Sequence, residues 1–413
     1  MSSRRFSSLL NPMVANQNNP KRILIFSLSF LPFVGGAEVA VKEITDRIHS
    51  DEFEFDMVTL RFANSAPKFE RVSNVDVFRV GWAEDGLVTV SDLTWKLKLV
   101  KLFSPIILLR QALKLHRKNK YNAIWVILAN QGAFAGVFFK WLHPQVRYIL
   151  TLQDGQTTEE VVAKNPILRP LAFLYKQIFT RADHIQVISN FIKDIAKGFE
   201  VKAPIVLIPN GVDTSHFTQS VSEEVLDKLR VQHNLTKEKI YLITTSRLVL
   251  SRGVEDIIRS LKFLPKEVEL LVLGTGREKN LLAEMAKSDG VSSRVHFLGH
   301  IDHNELPLYL NLAEIFVRPS RVEGFGNSFI EAMAVGLPII GTRVGGIPDF
   351  LKHEETGLFC EINNPESIAL QVRRLIDDEE LRSRIVSNAK ELAVEKYDWH
   401  LIAMDMQSKV FGV

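Results

Sequence analysis

The feature that most constrains this chain is an alternation. Short apolar runs bounded by turn residues recur between stretches that carry apolar residues at helical spacing. Arg22–Phe30 (R-I-L-I-F-S-L-S-F) opens the series; the loop L-P-F-V-G-G-A-E follows, and Val39–Ile48 has helical spacing. Ala123–Leu128, Val146–Leu152 and His184–Ile188 read as further buried strands, the last leading into a helix over Phe191–Lys197. Ile205–Phe217 contains the turn formers Pro209, Asn210 and Gly211, and a polar, helix-prone stretch runs on to Lys239. A second series then begins: Tyr241–Ser246, Glu269–Gly274, Arg294–Leu298, Ile315–Pro319 and Leu337–Gly341. Strands alternating with helices predict parallel sheets covered on both faces. We therefore expect an α/β protein of two doubly wound, Rossmann-like domains, 21–215 and 216–395.

Composition narrows the class. A chain of 413 residues with 46% hydrophobic and 24% charged residues is neither disordered nor collagen-like nor a coiled coil. The longest uncharged apolar run starts at Ile23 and is interrupted by Pro32, Gly35 and Gly36. It falls short of the ~20 apolar residues of a membrane-spanning helix. Residues 1–20 are rich in Ser and Asn and lack an apolar signal core, so we expect a mobile tail. The single cysteine, Cys360, excludes an intrachain disulfide and a cysteine zinc site, and fits a cytoplasmic location. The eleven histidines include no H-E-x-x-H, and no protein-bound metal is expected. A net charge of +3 gives no reason to expect nucleic-acid binding.

The most informative segment is Pro319–Ile347, P-S-R-V-E-G-F-G-N-S-F-I-E-A-M-A-V-G-L-P-I-I-G-T-R-V-G-G-I. Glu323 and Glu331 are eight residues apart, with Gly324 and Gly326 between them and a helix starting near Ser328. Such a loop lets backbone N–H groups approach an anion at a helix N-terminus. Carboxylates on either side would accept hydrogen bonds from sugar hydroxyls. Glu331 taken alone also fits a capping box, Ser328-x-x-Glu331, which needs no ligand. That alternative leaves Glu323, the loop glycines and the Gly345-Gly346 turn unexplained. Gly274-Thr275-Gly276 follows a strand but lacks the third glycine of a nicotinamide-binding fingerprint.

E-G-F-G-N-S-F-I-E followed by A-M-A-V-G-L-P-I-I-G-T resembles the E-x7-E signature of retaining GT-B-fold glycosyltransferases of glycosyltransferase family 4. The likeness runs from about Arg22 through most of the chain. T-S-R-L-V-L-S-R-G-V-E-D-I-I is similar to the family's diphosphate-binding segment, and L-V-L-G-T-G-R to its glycine turn near the nucleotide. V-I-S-N-F and I-P-N-G-V-D resemble the end of the acceptor domain and the connection; P-F-V-G-G-A-E resembles the acceptor-side loop.

The resemblance implies a retaining, metal-independent transfer of a hexosyl unit from a nucleotide-diphosphate sugar, with no cofactor. Glu331 would hold ribose hydroxyls and Glu323 the donor sugar. Gly324, Phe325, Gly326, Asn327 and Ser328 would hold sugar and phosphate through the backbone, with Gly274 and Gly276 near the nucleotide. Arg247 and Arg252 would meet the diphosphate, Arg252 standing where the family usually has lysine. Gly35, Gly36, Gln153 and Asp154 would lie on the acceptor side. In Y-I-L-T-L-Q-D-G-Q, Gln153 occupies the family's histidine position; glutamine hydrogen-bonds but carries no proton. Asp154 either contacts the acceptor or caps a loop. The acceptor would be a sugar or a lipid-linked glycan of cell-envelope or polysaccharide synthesis. The last segment, with Trp399, Ile402, Met406 and Val410 near helical spacing, would form a helix over 396–413 that crosses back to the first domain. The competing readings are another GT-B enzyme such as an epimerase or a pyridoxal-dependent phosphorylase, a nicotinamide oxidoreductase, and a non-catalytic sugar-nucleotide binder. The Gln153 departure motivates the last.

Trp95–Lys120, W-K-L-K-L-V-K-L-F-S-P-I-I-L-L-R-Q-A-L-K-L-H-R-K-N-K, holds eight Lys/Arg and no acidic residue. With the whole chain at +3, the remainder is acidic. Basic amphipathic segments bearing an aromatic residue suit an anionic membrane surface, here the inner face of the cell membrane. The alternative is that the apolar residues are core and the lysines a solvated face.

Overall fold

The computed structural model describes residues 19–33, 35–85, 94–154 and 172–413, so nearly all of the expected tail lies outside the described residues. The first sheet has eight strands: β1 (Lys21–Phe26), β2 (Phe53–Leu60), β3 (Phe69–Val72), β4 (Val75–Val80), β5 (Ala123–Ile127), β6 (Arg147–Leu152), β7 (His184–Val187) and β8 (Ile205–Leu207). Their order is β3-β4-β2-β1-β5-β6-β7-β8, with all neighbours parallel except the β3–β4 hairpin. The second sheet has six: β9 (Ile240–Thr245), β10 (Val268–Leu273), β11 (Val295–Gly299), β12 (Ile315–Arg318), β13 (Ile339–Thr342) and β14 (Leu358–Cys360). Their order is β11-β10-β9-β12-β13-β14, wholly parallel.

The sequence reveals the interior strands β1, β5, β6, β7, β9, β10, β12 and β13 and the edge strand β11, but not the interior strands β2 and β4, where Glu54, Asp56 and Asp76 interrupt the apolar run. A parallel strand covered by helices on both faces is buried throughout, so it reads as an unbroken apolar run. Strand β10, V-E-L-L-V-L, is buried at every position. Strands β8 and β14 have three residues each and leave no pattern to find. The opening apolar run is strand only to Phe26; its continuation is the loop that reaches the cleft.

Strand order reverses between β1 and β5 in the first sheet and between β9 and β12 in the second. Ligands of doubly wound sheets bind outside the carboxyl ends of the strands at such a reversal. Loops from these ends meet across the domains. A Cβ on Gly324, after β12, would stand 2.7 Å from the Gln153 carbonyl after β6. One on Gly346, after β13, would stand 2.7 Å from the Ser189 side chain after β7.

The chain end completes the first domain. The helix Trp399–Met406 and the turn to Phe411 bury Trp399, Ile402, Ala403, Met406, Val410 and Phe411 in the core that holds Ile23, Phe53 and Trp125. Phe411 lies against Trp125 at 5.0 Å and Phe55 at 5.8 Å between ring centroids. The outgoing and returning strands of the connection touch: the Val212 N–H donates to the Tyr397 carbonyl at 2.7 Å and the Trp399 N–H to that of Val212 at 3.2 Å.

The basic segment forms two helices, Trp95–Leu102 and Ser104–Asn119. Leu97, Leu108, Ala112 and Leu115 enter the core. Trp95, Leu99, Leu102, Phe103 and Ile106 do not; Trp95 is 68% exposed and Ile106 64%. The solvated-face alternative therefore accounts for only part of the apolar residues. No helix among the described residues is long and apolar enough to cross a membrane.

Candidate active site

The loop after β12 is bolted down before it reaches the cleft. Arg321 donates to Asp256 at 2.9 Å and to Glu255, on the helix Val254–Ser260, and its N–H donates to the Ser251 carbonyl at 2.9 Å. Gly345 runs beneath the loop in a left-handed conformation (φ 54°), where a Cβ would lie 1.7 Å from the Glu323 carbonyl oxygen. Both the conformation and the approach require glycine there. The Phe325 side chain is buried against Phe350 and Tyr397, so only its backbone is available to a ligand.

Glu323 is buried and its two oxygens differ. Oε2 accepts from Arg252 Nη1 at 2.8 Å and from Arg318 Nη2 at 2.7 Å. Oε1 has no hydrogen-bond partner among the described residues. Arg252 also donates to the Val322 carbonyl at 2.8 Å. The arginine expected on the diphosphate is thus engaged with Glu323. Arg247, in the loop after β9, is exposed and has no ion pair among the described residues.

The capping-box reading is overturned. The helix spans Asn327–Val335 with Gly326 (φ 101°) as its N-cap, so Ser328 is the second helical residue and caps nothing. Its hydroxyl instead accepts from Arg318. Glu331 is the fifth residue, past the first turn where the motif would place it, and Oε1 accepts from His303 Nε2 at 3.1 Å. His303, in the loop after β11, also packs against Phe217 (5.3 Å). The hydrogen bond to Glu331 holds its pKa above the usual histidine value, helped by the charges of Glu43 and Asp213. A raised folded-state pKa contributes stability that is full below the unfolded value and lost as pH rises through the folded one. We therefore expect the melting-temperature gap between wild type and His303→Gln to be widest below about pH 6.5 and to narrow above it. A pH-independent gap in a fluorimetric melt series would remove this linkage.

Gly274 and Gly276 shape the adjoining loops after β10 and β9. A Cβ on Gly274 would come within 1.9 Å of the Ser246 carbonyl, and one on Gly276 within 2.3 Å of that of Leu248. The Leu248 N–H donates to the Thr275 carbonyl at 2.9 Å, joining this turn to the loop that carries Arg247.

The residues expected on the acceptor side meet the loop after β12 through Asn210, whose buried amide the sequence marks only as part of a turn. Its Nδ2 donates to Gln153 Oε1 and to Asn327 Oδ1, each at 3.1 Å. A Cβ on Gly36, at the start of the helix Gly36–Asp46, would lie 3.6 Å from Asn327 Nδ2. Gly35 is the N-cap of that helix, and Asp154 is exposed beside Gln153. Gly36, Gln153, Asn210 and Asn327 therefore form one cluster drawn from both domains.

Among the described residues no three His, Cys, Asp or Glu side chains stand together as metal ligands. His296 and His300, spaced four apart, engage different carboxylates: Glu269 at 2.7 Å and Asp302 at 3.7 Å.

Two facing doubly wound domains, with a glycine loop and paired carboxylates at the strand reversal, define a GT-B glycosyltransferase. Residues 34–216 match Glycosyltransferase Family 4 and residues 226–392 match Glycosyl transferases group 1. The chain belongs to the family 4 type of glycosyltransferases and transfers a sugar from a nucleotide sugar. An uncharacterized glycosyltransferase of Methanocaldococcus jannaschii is 26% identical over 90% of this chain and 93% of its own. A GDP-mannose-dependent alpha-(1-6)-phosphatidylinositol monomannoside mannosyltransferase of Mycobacterium tuberculosis is 28% identical over 57% of this chain and 64% of its own. The Anabaena protein HepE, solved with UDP and glucose, shares the fold at a TM-score of 0.74 and 18% identity, over 95% of this chain and all of its own (100%).

Proposed function

We propose that the protein is a retaining, metal-independent hexosyltransferase that uses a nucleoside-diphosphate hexose and a lipid-linked acceptor. The observation that carries this reading is Glu323, which has one oxygen locked by two arginines and the other without a partner among the described residues, in the loop after β12 beside the N-terminus of the helix Asn327–Val335. In this reading Glu323 Oε1 accepts from a hydroxyl of the donor sugar and Glu331 from the ribose. The bond from the anomeric carbon to the diphosphate breaks, and negative charge develops on the leaving oxygen. Arg247, Arg252 and the helix N-terminus stabilise that charge, the task otherwise given to a metal. The acceptor oxygen attacks the same face of the sugar, and its proton passes to the departing phosphate oxygen, so configuration is retained. Gln153 hydrogen-bonds but moves no proton. No cofactor takes part.

A hexose donor is supported by the GDP-mannose dependence of the mycobacterial relative and the UDP and glucose bound to HepE. A panel of UDP and GDP sugars tested by thermal shift examines the reading, because a ligand bound only by the native state raises its melting temperature. Glu331→Ala should abolish the shift given by the true donor, while its unliganded melt falls no further than that of His303→Gln, which loses the same hydrogen bond. An intact shift in Glu331→Ala would assign Glu331 a structural role only. Absence of any shift across the panel would sink the donor reading.

The acceptor's location is inferred from the exposed Trp95, Leu99, Leu102, Phe103 and Ile106 set among Lys96, Lys98, Lys101 and Arg110. Basic side chains near an anionic surface contribute roughly 1 kcal/mol each, so four would give about 4 kcal/mol, enough for reversible attachment. We expect co-sedimentation with phosphatidylglycerol vesicles, weakened by salt. Equal binding to phosphatidylcholine vesicles, or none to either, would favour a soluble acceptor.

A further inference from the structure

Arg318 is the last residue of β12 and lies beneath the donor loop, 7% exposed. The proposed reaction gives it no role beyond its hydrogen bond to Glu323. Burying a guanidinium is costly, and burial pulls its pKa down. Its charge is met from one side by Glu323, with Glu331 beyond, while Arg252 and Arg247 oppose it. The guanidinium spans the loop: Nη2 donates to Glu323 Oε2 at 2.7 Å, and Nη1 to the Ser328 hydroxyl. It therefore joins the two ends of the Glu323–Ser328 turn. Its Nε is buried without a hydrogen-bond partner, so the residue is not kept for perfect satisfaction of its own donors.

The choice of oxygen matters more than the number of contacts. Arg318 and Arg252 both take Oε2, which fixes the carboxylate about its terminal torsion and leaves Oε1 unused. A carboxylate held by only one arginine can rotate and exchange its oxygens. One held by two arginines on the same oxygen presents the other in a fixed direction.

We propose that Arg318 is a positioning residue for the donor sugar, acting through Glu323 by locking Oε2 so that Oε1 faces the sugar hydroxyls. This rests on the donor-binding reading above. It predicts a selective effect: the nucleoside diphosphate is held by other groups, and only the added affinity of the sugar depends on Arg318. Lysine keeps the charge, but its single ammonium cannot reproduce the planar fork that reaches both Glu323 and Ser328.

The test is calorimetric titration with UDP, GDP, UDP-glucose and GDP-mannose. The proteins are wild type, Arg318→Met, Arg318→Lys, Glu323→Gln and the Arg318→Lys/Glu323→Gln double variant. With whichever base binds, each single variant should keep the free diphosphate within about twofold of wild type. Each should lose about tenfold in the additional affinity given by the sugar, the scale of one charge-assisted hydrogen bond. The double variant should be no worse than Glu323→Gln, because both changes remove the same interaction. Equal loss of diphosphate and diphosphate sugar would overturn the proposal, showing a structural or direct phosphate role. Additive losses would overturn it too, since Arg318 would then not act through Glu323. If Arg318→Met does not fold, the lysine series decides alone. Failure of wild type to bind any of the four probes removes the donor reading and this proposal with it, before any variant is made.

Discussion

A chain ending at Tyr397 is expected to lose the folded first domain while the second keeps its structure. The deleted residues include Trp399, Ile402, Met406, Val410 and Phe411, all buried against β1, β2, β5 and the helix Gly36–Asp46. Burial of each such side chain contributes roughly 1.5–3 kcal/mol, so their loss is on the order of 10 kcal/mol. That equals the whole stability of an ordinary domain, about 5–15 kcal/mol. Among the described residues the connection to the second domain loses the Val212–Asp398 bridge and the Thr214 hydroxyl's hydrogen bond to Asp398. Hydrogen exchange of the truncated chain should show protection gone from β1, β2 and β5 and kept in β9, β10 and β12. Loss confined to the second domain would show that the crossing contributes nothing to the first.

Arg247→Ala is expected to lower turnover with the true donor by about 10²–10³, the usual cost of removing one preorganised group facing a developing negative charge. Arg252 is already hydrogen-bonded to Glu323 and the Val322 carbonyl, whereas Arg247 stands exposed at the strand reversal without an ion pair among the described residues. It is the cation most available to a diphosphate. Affinity for the free nucleoside diphosphate should fall as well, because that ligand carries the same charge. Arg247→Lys should recover part of the turnover. Unchanged turnover and donor affinity in Arg247→Ala would end its assignment to the diphosphate. The competing readings separate in the same assay: a non-catalytic binder gives a thermal shift but no transfer, and an oxidoreductase answers to nicotinamide nucleotides instead.

Much of the architecture was legible because parallel strands covered on both faces are mostly apolar, with few charged residues such as Glu269 and Arg318. Strands β5, β6, β9, β10 and β12 announce themselves in that way. The Glu323–Glu331 pair was legible because two glycines between the carboxylates, followed by helical spacing, mark a tight loop at a helix N-terminus. The rest was not: β3 is a half-exposed strand of a hairpin, β2 and β4 carry acidic residues that break the apolar run, and the three-residue strands β8 and β14 carry no period. Glu331 was ambiguous because Ser-x-x-Glu is a genuine capping pattern. Gly326, with its left-handed backbone, starts the helix two residues too early for it.

By itself the sequence determined the two doubly wound domains, the switch-point loop and its carboxylates, since these follow from periodicities and offsets within a few residues. Only the tertiary structure decided which partners those groups take. Arg318 reads as a charged residue closing an apolar run, and becomes a buried cation only when β12 is flanked by β9 and β13. His303 and Glu331 are 28 residues apart, and Asn210 lies 57 residues from Gln153 and 117 from Asn327. Likewise, helical spacing alone could not say which apolar residues of Trp95–Lys120 enter the core and which remain on the surface. The reason is physical. Local spacing dictates the element a residue joins, but its hydrogen-bond partner and its exposure depend on which strand ends the folded sheets bring together.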